Sequence, residues 1–247
     1  LNVPSYFIIT PLCRYIEKSN LIPKSELQIP TTATKMLSAI VTTIGFAAAV
    51  SATSISITPH EQFSSSVGVL GCHIDTNRAA YWPLQPGCDS VCVKVSANGR
   101  SVNLLQIDTS GGAYDISYDA WNYLNSGESA TVNATMGGGF PAEYETAPMS
   151  DCHDLIKTPD GKLPLMAANS MNYYLGCAVG TWVRDNSTLY NIGNSACTLG
   201  FNEVCTLDLN VSNQASCPHI LGANNPLSGL PVTNIVYGTG ALSVALQ

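Results

Sequence analysis

Residues 88–124 constrain the fold more than any other stretch, because strand, turn and helix signals follow one another there without a linker. Val91, Val93 and Val95 alternate as one face of a half-buried strand. Asn98-Gly99 follows, and both residues tolerate the positive φ of a type I′ hairpin turn. Val102 to Ile107 is then an almost unbroken apolar return strand. The residues Asp108-Thr109-Ser110-Gly111-Gly112 break it with tight-turn chemistry. Ile116, Ala120 and Leu124 next recur at helical spacing, so a short helix is expected from about Asp115 or Ser117, either of which can cap it.

The flanking segments read less sharply. Ser54 to Ile57 alternates weakly, Val67 to Ile74 is expected as a strand through Cys72, and Ala79 to Trp82 as another. Ala142 to Thr146 reads as a half-buried strand beyond the loop ending in Gly137-Gly138-Gly139. After Thr158 a helix is expected within Ala167 to Leu175. Short strands are expected at Trp182-Val183, Leu189 to Ile192, Val204 to Leu209 and Val232 to Tyr237.

The order hairpin, acidic glycine turn, Asp-led segment resembles the centre of the double-psi β-barrel of barwin-like proteins, expansins and glycoside hydrolase family 45 endoglucanases. The residues that carry the resemblance are Cys92 to Val95, Ile107-Asp108, Gly111-Gly112, Asp115-Ile116 and the aromatic helix ending at Leu124. A more extended similarity, from Gly68 to Gly240, is to secreted fungal proteins of no established activity. The resemblance implies a mainly β chain: a six-stranded double-psi barrel over 53–157 with one or two short helices. Residues 158–247 are then a disulfide-stapled, cysteine-rich extension packed on the barrel.

The ends of the sequence set the compartment. Residues 1–35 hold four of the fourteen prolines and no period, and are expected to be a leader outside the fold. Lys35-Met36 precedes an apolar run of about fifteen residues ending in Val50-Ser51-Ala52, the pattern of a secretory signal peptide over 36–52. Beyond it lie eight of the nine cysteines: Cys72, Cys88, Cys92, Cys152, Cys177, Cys197, Cys205 and Cys217. An even set in a secreted chain reads as four disulfides, with 105 possible pairings. Asn133, Asn186 and Asn210 open N-glycosylation sequons.

After residue 52, six lysines and arginines face fifteen aspartates and glutamates, a net charge of −9. Such a surface has little with which to neutralise phosphates, so nucleic acid and, after signal cleavage, membranes are excluded as partners. A neutral cell-wall polysaccharide or an extracellular host protein remains, and a monomer is expected.

Among candidate chemistries, Asp115 matches the general acid of the resembling endoglucanases, and the competing role is a helix cap. Hydrolysis needs a second carboxylate, for which Asp75 and Asp108 are the candidates. The resemblance weakens here. Ala113-Tyr114-Asp115 stands where expansins have His-Phe-Asp, Ser110 where barwins often have a cysteine, and the endoglucanases' Trp-Asp stretch is absent. Tyr114, Tyr118, Tyr81 and Trp82 are candidates for a sugar-stacking platform, while Trp121 and Tyr123 belong to the helix's buried face. His73, His153 and His219 adjoin cysteines, but no spacing matches a zinc framework, and no cofactor motif is present. The expectation is therefore an expansin-like wall-polysaccharide binder without hydrolytic activity. An effector or elicitor scaffold is the alternative, and a weak glycosidase stands third. N-terminal sequencing of secreted protein is expected to start near Thr53, with no titratable thiol in the native state; two or more reactive thiols would overturn the four-disulfide reading.

Overall fold

The computed structural model describes residues 52–168 and 171–246. The expected leader and signal peptide lie outside the described residues. Six strands close a barrel: β1 (Thr53–His60), β2 (Ala79–Trp82), β3 (Cys92–Ala97), β4 (Arg100–Thr109), β5 (Tyr114–Ser117) and β6 (Phe140–Thr146), in the order β1-β5-β2-β4-β3-β6. The pairs β1–β5 and β2–β4 are parallel and the other four antiparallel, a mixed closed barrel of the kind the double-psi arrangement requires. Local chemistry sets the tightest connection. Asn98 and Gly99, at φ 52° and 73°, make the two-residue turn from β3 to β4.

Strand alternation sorts the side chains into two cores. Ile57, Ala80, Trp82, Val93, Val95, Leu104 and Ile116 fill the barrel. The helix α1 (Tyr118–Ser126) plugs one end with Trp121 and Leu124, and Gly127, at φ 91°, closes it through its N–H to the Tyr123 carbonyl. Asn98 and Arg100 side chains donate to the Leu124 carbonyl, which fixes the helix to the hairpin end. The helix starts two residues later than an Asp115 cap would place it, and Ser117, at the N-cap position, makes no capping bond with its side chain. Residues 114–117 are strand because β1 and β2 both pair with them.

The other core lies on the outside of the barrel. Ala79 and Tyr81 of β2 and Leu105 and Ile107 of β4 point outward and pack with Leu163, Leu165, Val183, Leu189 and Ile192. Those residues belong to β7 (Leu163–Met166), α3 (Trp182–Asp185) and β8 (Ser187–Ile192); β7 pairs parallel with β8, and β8 antiparallel with β9 (Gly200–Val204). A short helix, α2 (Met171–Gly176), and a two-stranded ribbon of β10 (Thr233–Ile235) and β11 (Leu242–Val244) complete the chain.

Two expectations are corrected here. Val67 to Ile74 is no strand: it holds a 3-10 turn at Gly71–His73, and its Val67, Val69 and Leu70 are apolar because they lie in the outer core. Trp182 and Val183 open a helix, and the Val183 N–H bonds the Cys88 carbonyl instead of a neighbouring strand.

All eight cysteines among the described residues are paired. Cys92–Cys152 lies on the barrel wall, Cys72–Cys197 and Cys88–Cys177 tie segments flanking β2 to the region after Thr158, and Cys205–Cys217 closes a local loop. Among the described residues no helix is long and apolar enough to cross a membrane. Sequence separation ranks the crosslinks. Cys72–Cys197 spans 125 residues and Cys205–Cys217 only 12, and chain-entropy arguments give about 3 kcal/mol for a 15-residue loop against about 4.7 kcal/mol for a 100-residue one. Replacing both members of the long pair by serine is therefore expected to lower the denaturation midpoint more than the same change in the short pair, as read by denaturant titration. Equal losses would show that native-state strain, not loop closure, governs these bonds.

Candidate functional site

Alternation on β5 divides the two most prominent sequence candidates. Tyr114 shares the inward face with Ile116 and packs against the barrel core. Asp115 faces outward and accepts a hydrogen bond from the Thr58 hydroxyl of β1, its partner in the parallel register. Tyr114 and Asp115 are thus adjacent in sequence and on opposite faces of the wall.

The remaining carboxylates have structural work. Asp108 is buried and accepts bonds from the Ser64 hydroxyl (2.5 Å), the Ser66 N–H (2.8 Å) and the Thr109 N–H (2.7 Å), so it holds the 64–66 loop against β4. Asp75 accepts from the Asn77 N–H (3.0 Å) and starts a short 3-10 turn. Asp119, which had no role in the sequence reading, is buried at the start of α1, pairs with Arg78 at 2.7 Å and accepts from the Ala130 N–H at 2.8 Å.

Two of the aromatic candidates are structural as well. The Tyr118 hydroxyl donates to the Thr135 carbonyl (2.6 Å) and accepts from the Gly238 N–H (3.1 Å), joining α1 to the ribbon that follows. Tyr81 lies in the outer core beside His60, ring centroids 4.5 Å apart. Burial, and next to it the Asp108 charge, push its phenol far above the ordinary range, against the smaller opposing effect of a Ser64 backbone hydrogen bond.

The end of the barrel opposite the 98–99 turn is different. Trp82, Tyr114 and Tyr144 gather there: Trp82 meets Tyr144 at 4.6 Å and Tyr114 at 5.4 Å, and the two tyrosines lie 5.9 Å apart. Trp82 is buried, and both tyrosines are half-exposed. Beside the rings a cleft of ≈ 330 Å³ opens between the inner face of the barrel and the 84–90 loop; Trp82, Leu84, Val93, Gln106, Tyr144 and Thr146 line it. The loop is held from behind by Cys88–Cys177 and by the Tyr173 hydroxyl, which donates to the Gly87 carbonyl at 2.8 Å. Barrel mouths are a preferred place for small-molecule sites.

Tyr144 and Gln106 were not among the sequence candidates. Both sit at inward positions of β6 and β4, a signal present in the alternation of Ala142-Tyr144-Thr146 but without meaning until β6 pairs with β3.

The histidines beside cysteines have local partners. His73 stacks on Tyr190 and hydrogen-bonds Asn202, and His219 stacks on Phe201 and pairs with Glu203 at 2.6 Å. Among the described residues no three His, Cys, Asp or Glu side chains gather as a metal site would need. Of the sequons, Asn133 and Asn210 are exposed, whereas the Asn186 amide donates to the Trp182 carbonyl at 3.0 Å. No family model matches the sequence, and no curated protein matches it.

The bonding of Asp108 has a measurable consequence. Asp108→Ala leaves the Ser66 N–H without its acceptor and the Thr109 N–H with only the longer bond to the Ser66 hydroxyl, a loss of about 1–3 kcal/mol, or about 2–4 °C of melting temperature for each kcal/mol at this chain length. Thermal unfolding monitored by circular dichroism is the check; an unchanged melting temperature would mean that water replaces the carboxylate at no cost.

Proposed function

We propose that this chain is a secreted barrel of barwin and expansin type that binds cell-wall polysaccharide and does not hydrolyse it. The observation that carries the reading is the cluster of Trp82, Tyr114 and Tyr144 at the open end of the barrel. Aromatic rings at a cleft mouth suit the apolar faces of sugar rings, and the net negative charge leaves a neutral polymer as the natural partner. Four disulfides accord with an oxidising compartment, and the exposed Asn133 and Asn210 would carry glycans there.

The non-hydrolytic reading is supported by the placement of the carboxylates. Acid catalysis of glycoside cleavage uses two carboxyl groups across the scissile bond. Asp115 faces outward, away from the rings; Asp108 accepts from two backbone N–H groups and the Ser64 hydroxyl, and Asp75 accepts from the Asn77 N–H.

A second reading, an effector-like interaction protein that uses the barrel as a scaffold, draws on β11, where Leu242 and Val244 are 66 % and 56 % exposed.

Pull-down on insoluble cellulose, chitin and β-glucan separates these. Retention on at least one polymer is expected, without release of reducing sugar. Tyr144→Ala and Tyr114→Ala are each expected to weaken retention about two- to tenfold. Retention lost in Asp115→Asn but kept in both tyrosine variants would put the ligand on the outer face of the barrel. No retention on any polymer would leave the scaffold reading, and release of reducing sugar would make Asp115 a general acid.

A further inference from the structure

The region after Thr158 and the 3-10 turn at Met149–Leu155 enclose a cleft of ≈ 330 Å³, separate from the barrel mouth. Met149 and Ile156, 8 % and 7 % exposed, give it an apolar floor, and the half-buried Trp182 stands beside them. Ser150, His153 and Lys162 add polar groups, with His153 exposed. The carboxylate of the cleft, Asp160, is already engaged. It accepts from the Thr188 hydroxyl at 2.5 Å and from the Lys162 N–H at 3.2 Å, and so braces the 160–162 turn against β8. An apolar floor, an aromatic wall and a few polar groups are the make-up of a ligand site.

One residue lining this cleft can carry a ligand covalently. Asn186 opens the Asn186-Ser187-Thr188 sequon. It caps the C-terminus of α3, where its backbone N–H (2.8 Å) and its side-chain amide (3.0 Å) both donate to the Trp182 carbonyl. The i, i+4 spacing puts its side chain beside that of Trp182. A side-chain amide carries two hydrogens; the carbonyl takes one, and an N-linked sugar replaces the other. Asn133 and Asn210, by contrast, stand on exposed loop positions.

We propose that Asn186 carries an N-linked glycan whose first N-acetylglucosamine ring lies in this cleft, its apolar face against Trp182. The inference rests on the secreted reading of the chain and goes beyond wall binding, because this sugar is the protein's own. Transfer from a lipid-linked oligosaccharide diphosphate forms the bond from Nδ2 to the sugar C1 and breaks the C1–O bond to the diphosphate. The lipid diphosphate and one amide proton leave. Thr188, whose hydroxyl the sequon needs, is 9 % exposed and bonded to Asp160 in the fold, so transfer precedes the docking of β8.

Covalent attachment makes the docking intramolecular. Short tethers give effective concentrations of about mM, so a contact too weak to hold a free sugar suffices. The ring removes the exposed part of Trp182 from water, and Ser150 and Lys162 supply donors for its hydroxyl and acetamido oxygens.

The test uses the Asn133→Gln, Asn210→Gln double variant, secreted from a eukaryotic host, in which Asn186 opens the one remaining sequon. Glycopeptide mass spectrometry is expected to find Asn186 occupied. The glycoprotein is then compared with the same protein trimmed by an endoglycosidase to its first ring, and with the same variant made sugar-free in a bacterial periplasm. The full and trimmed forms are expected to share one Trp182 indole N–H resonance and one melting temperature. The sugar-free form is expected to differ in that resonance and to melt about 2–4 °C lower. The chain has three tryptophans, so Trp182→Phe assigns the signal by its loss. A protein with its only glycan on Asn133 (Asn186→Gln, Asn210→Gln) keeps an amide at position 186 and should show the sugar-free resonance.

An unoccupied Asn186 in the secreted double variant overturns the inference and leaves the secreted reading standing. An occupied Asn186 whose trimmed ring leaves the Trp182 resonance unmoved, or adds nothing to the melting temperature, overturns the docking. So does a stabilisation that vanishes when the outer sugars are trimmed. A wild-type chain that is not exported removes the secreted reading and the inference together.

Discussion

The structure depends on a wall that is buried from both sides. All four residues of β2 are buried, Ala80 and Trp82 toward the barrel interior and Ala79 and Tyr81 toward the outer core. The neighbouring β4 repeats the arrangement, with Leu104 inward and Leu105 and Ile107 outward. A sheet covered on both faces reads as a continuous apolar run instead of an alternation. In most small barrels the outer face is solvated and the interior alone supplies the core. Here the region after Thr158 covers the parallel pair β2–β4, so that wall cannot loosen on one side without exposing apolar surface on the other. Two of the four disulfides, Cys72–Cys197 and Cys88–Cys177, cross the same junction at either end of β2. Hydrophobic burial and covalent crosslinking therefore act on one seam, and the barrel and the region after Thr158 share their energetics through it.

That two-sided burial also explains which parts of the fold the sequence disclosed. The 98–99 turn was legible because its cause is local: two adjacent residues that accept positive φ, between strands of matching apolar pattern. The β5–α1 boundary was not, since nothing within residues 114–117 distinguishes a strand from a helix start. The decision is made by the pairing of residues 57–60 with 114–117, each pair 57 residues apart in the chain. Val67 to Ile74 and Trp182-Val183 misled for a related reason. Their apolar and aromatic residues are required by burial in the outer core, and burial does not specify extended backbone. The cysteines show the same limit, because three of the four pairs join positions 60 or more residues apart.

The candidate site divides along the same line. Asp115, Tyr114, Asp108, Tyr118, Asp75, Tyr81 and Trp82 could be named from composition and resemblance, but their sides of the wall could not. Pairing placed Tyr81 and Asp115 outside, Trp82 and Tyr114 inside, and turned Asp108 and Tyr118 into anchors for distant loops. It also recruited Tyr144 and Gln106, residues with no distinguishing neighbours in the sequence.

The two ends of the barrel then face different physical demands. At the hairpin end, α1 inserts Trp121 and Leu124, and Asn98 and Arg100 bind the helix's terminal carbonyl groups, so the end is filled and its polar groups are largely met. At the other end no helix enters; Trp82 and Tyr144 line a cleft, and Tyr114 packs on both rings beside it. Burying an indole N–H without a partner costs about 1–3 kcal/mol, and Trp82 and Trp121 each carry that cost, one at either end of the barrel. The cost is tolerable because the wall behind Trp82 is anchored by the outer core and by the crosslinked 84–90 loop. The same two-sided burial that hides the strands from sequence analysis thus fixes the wall on which the barrel mouth opens.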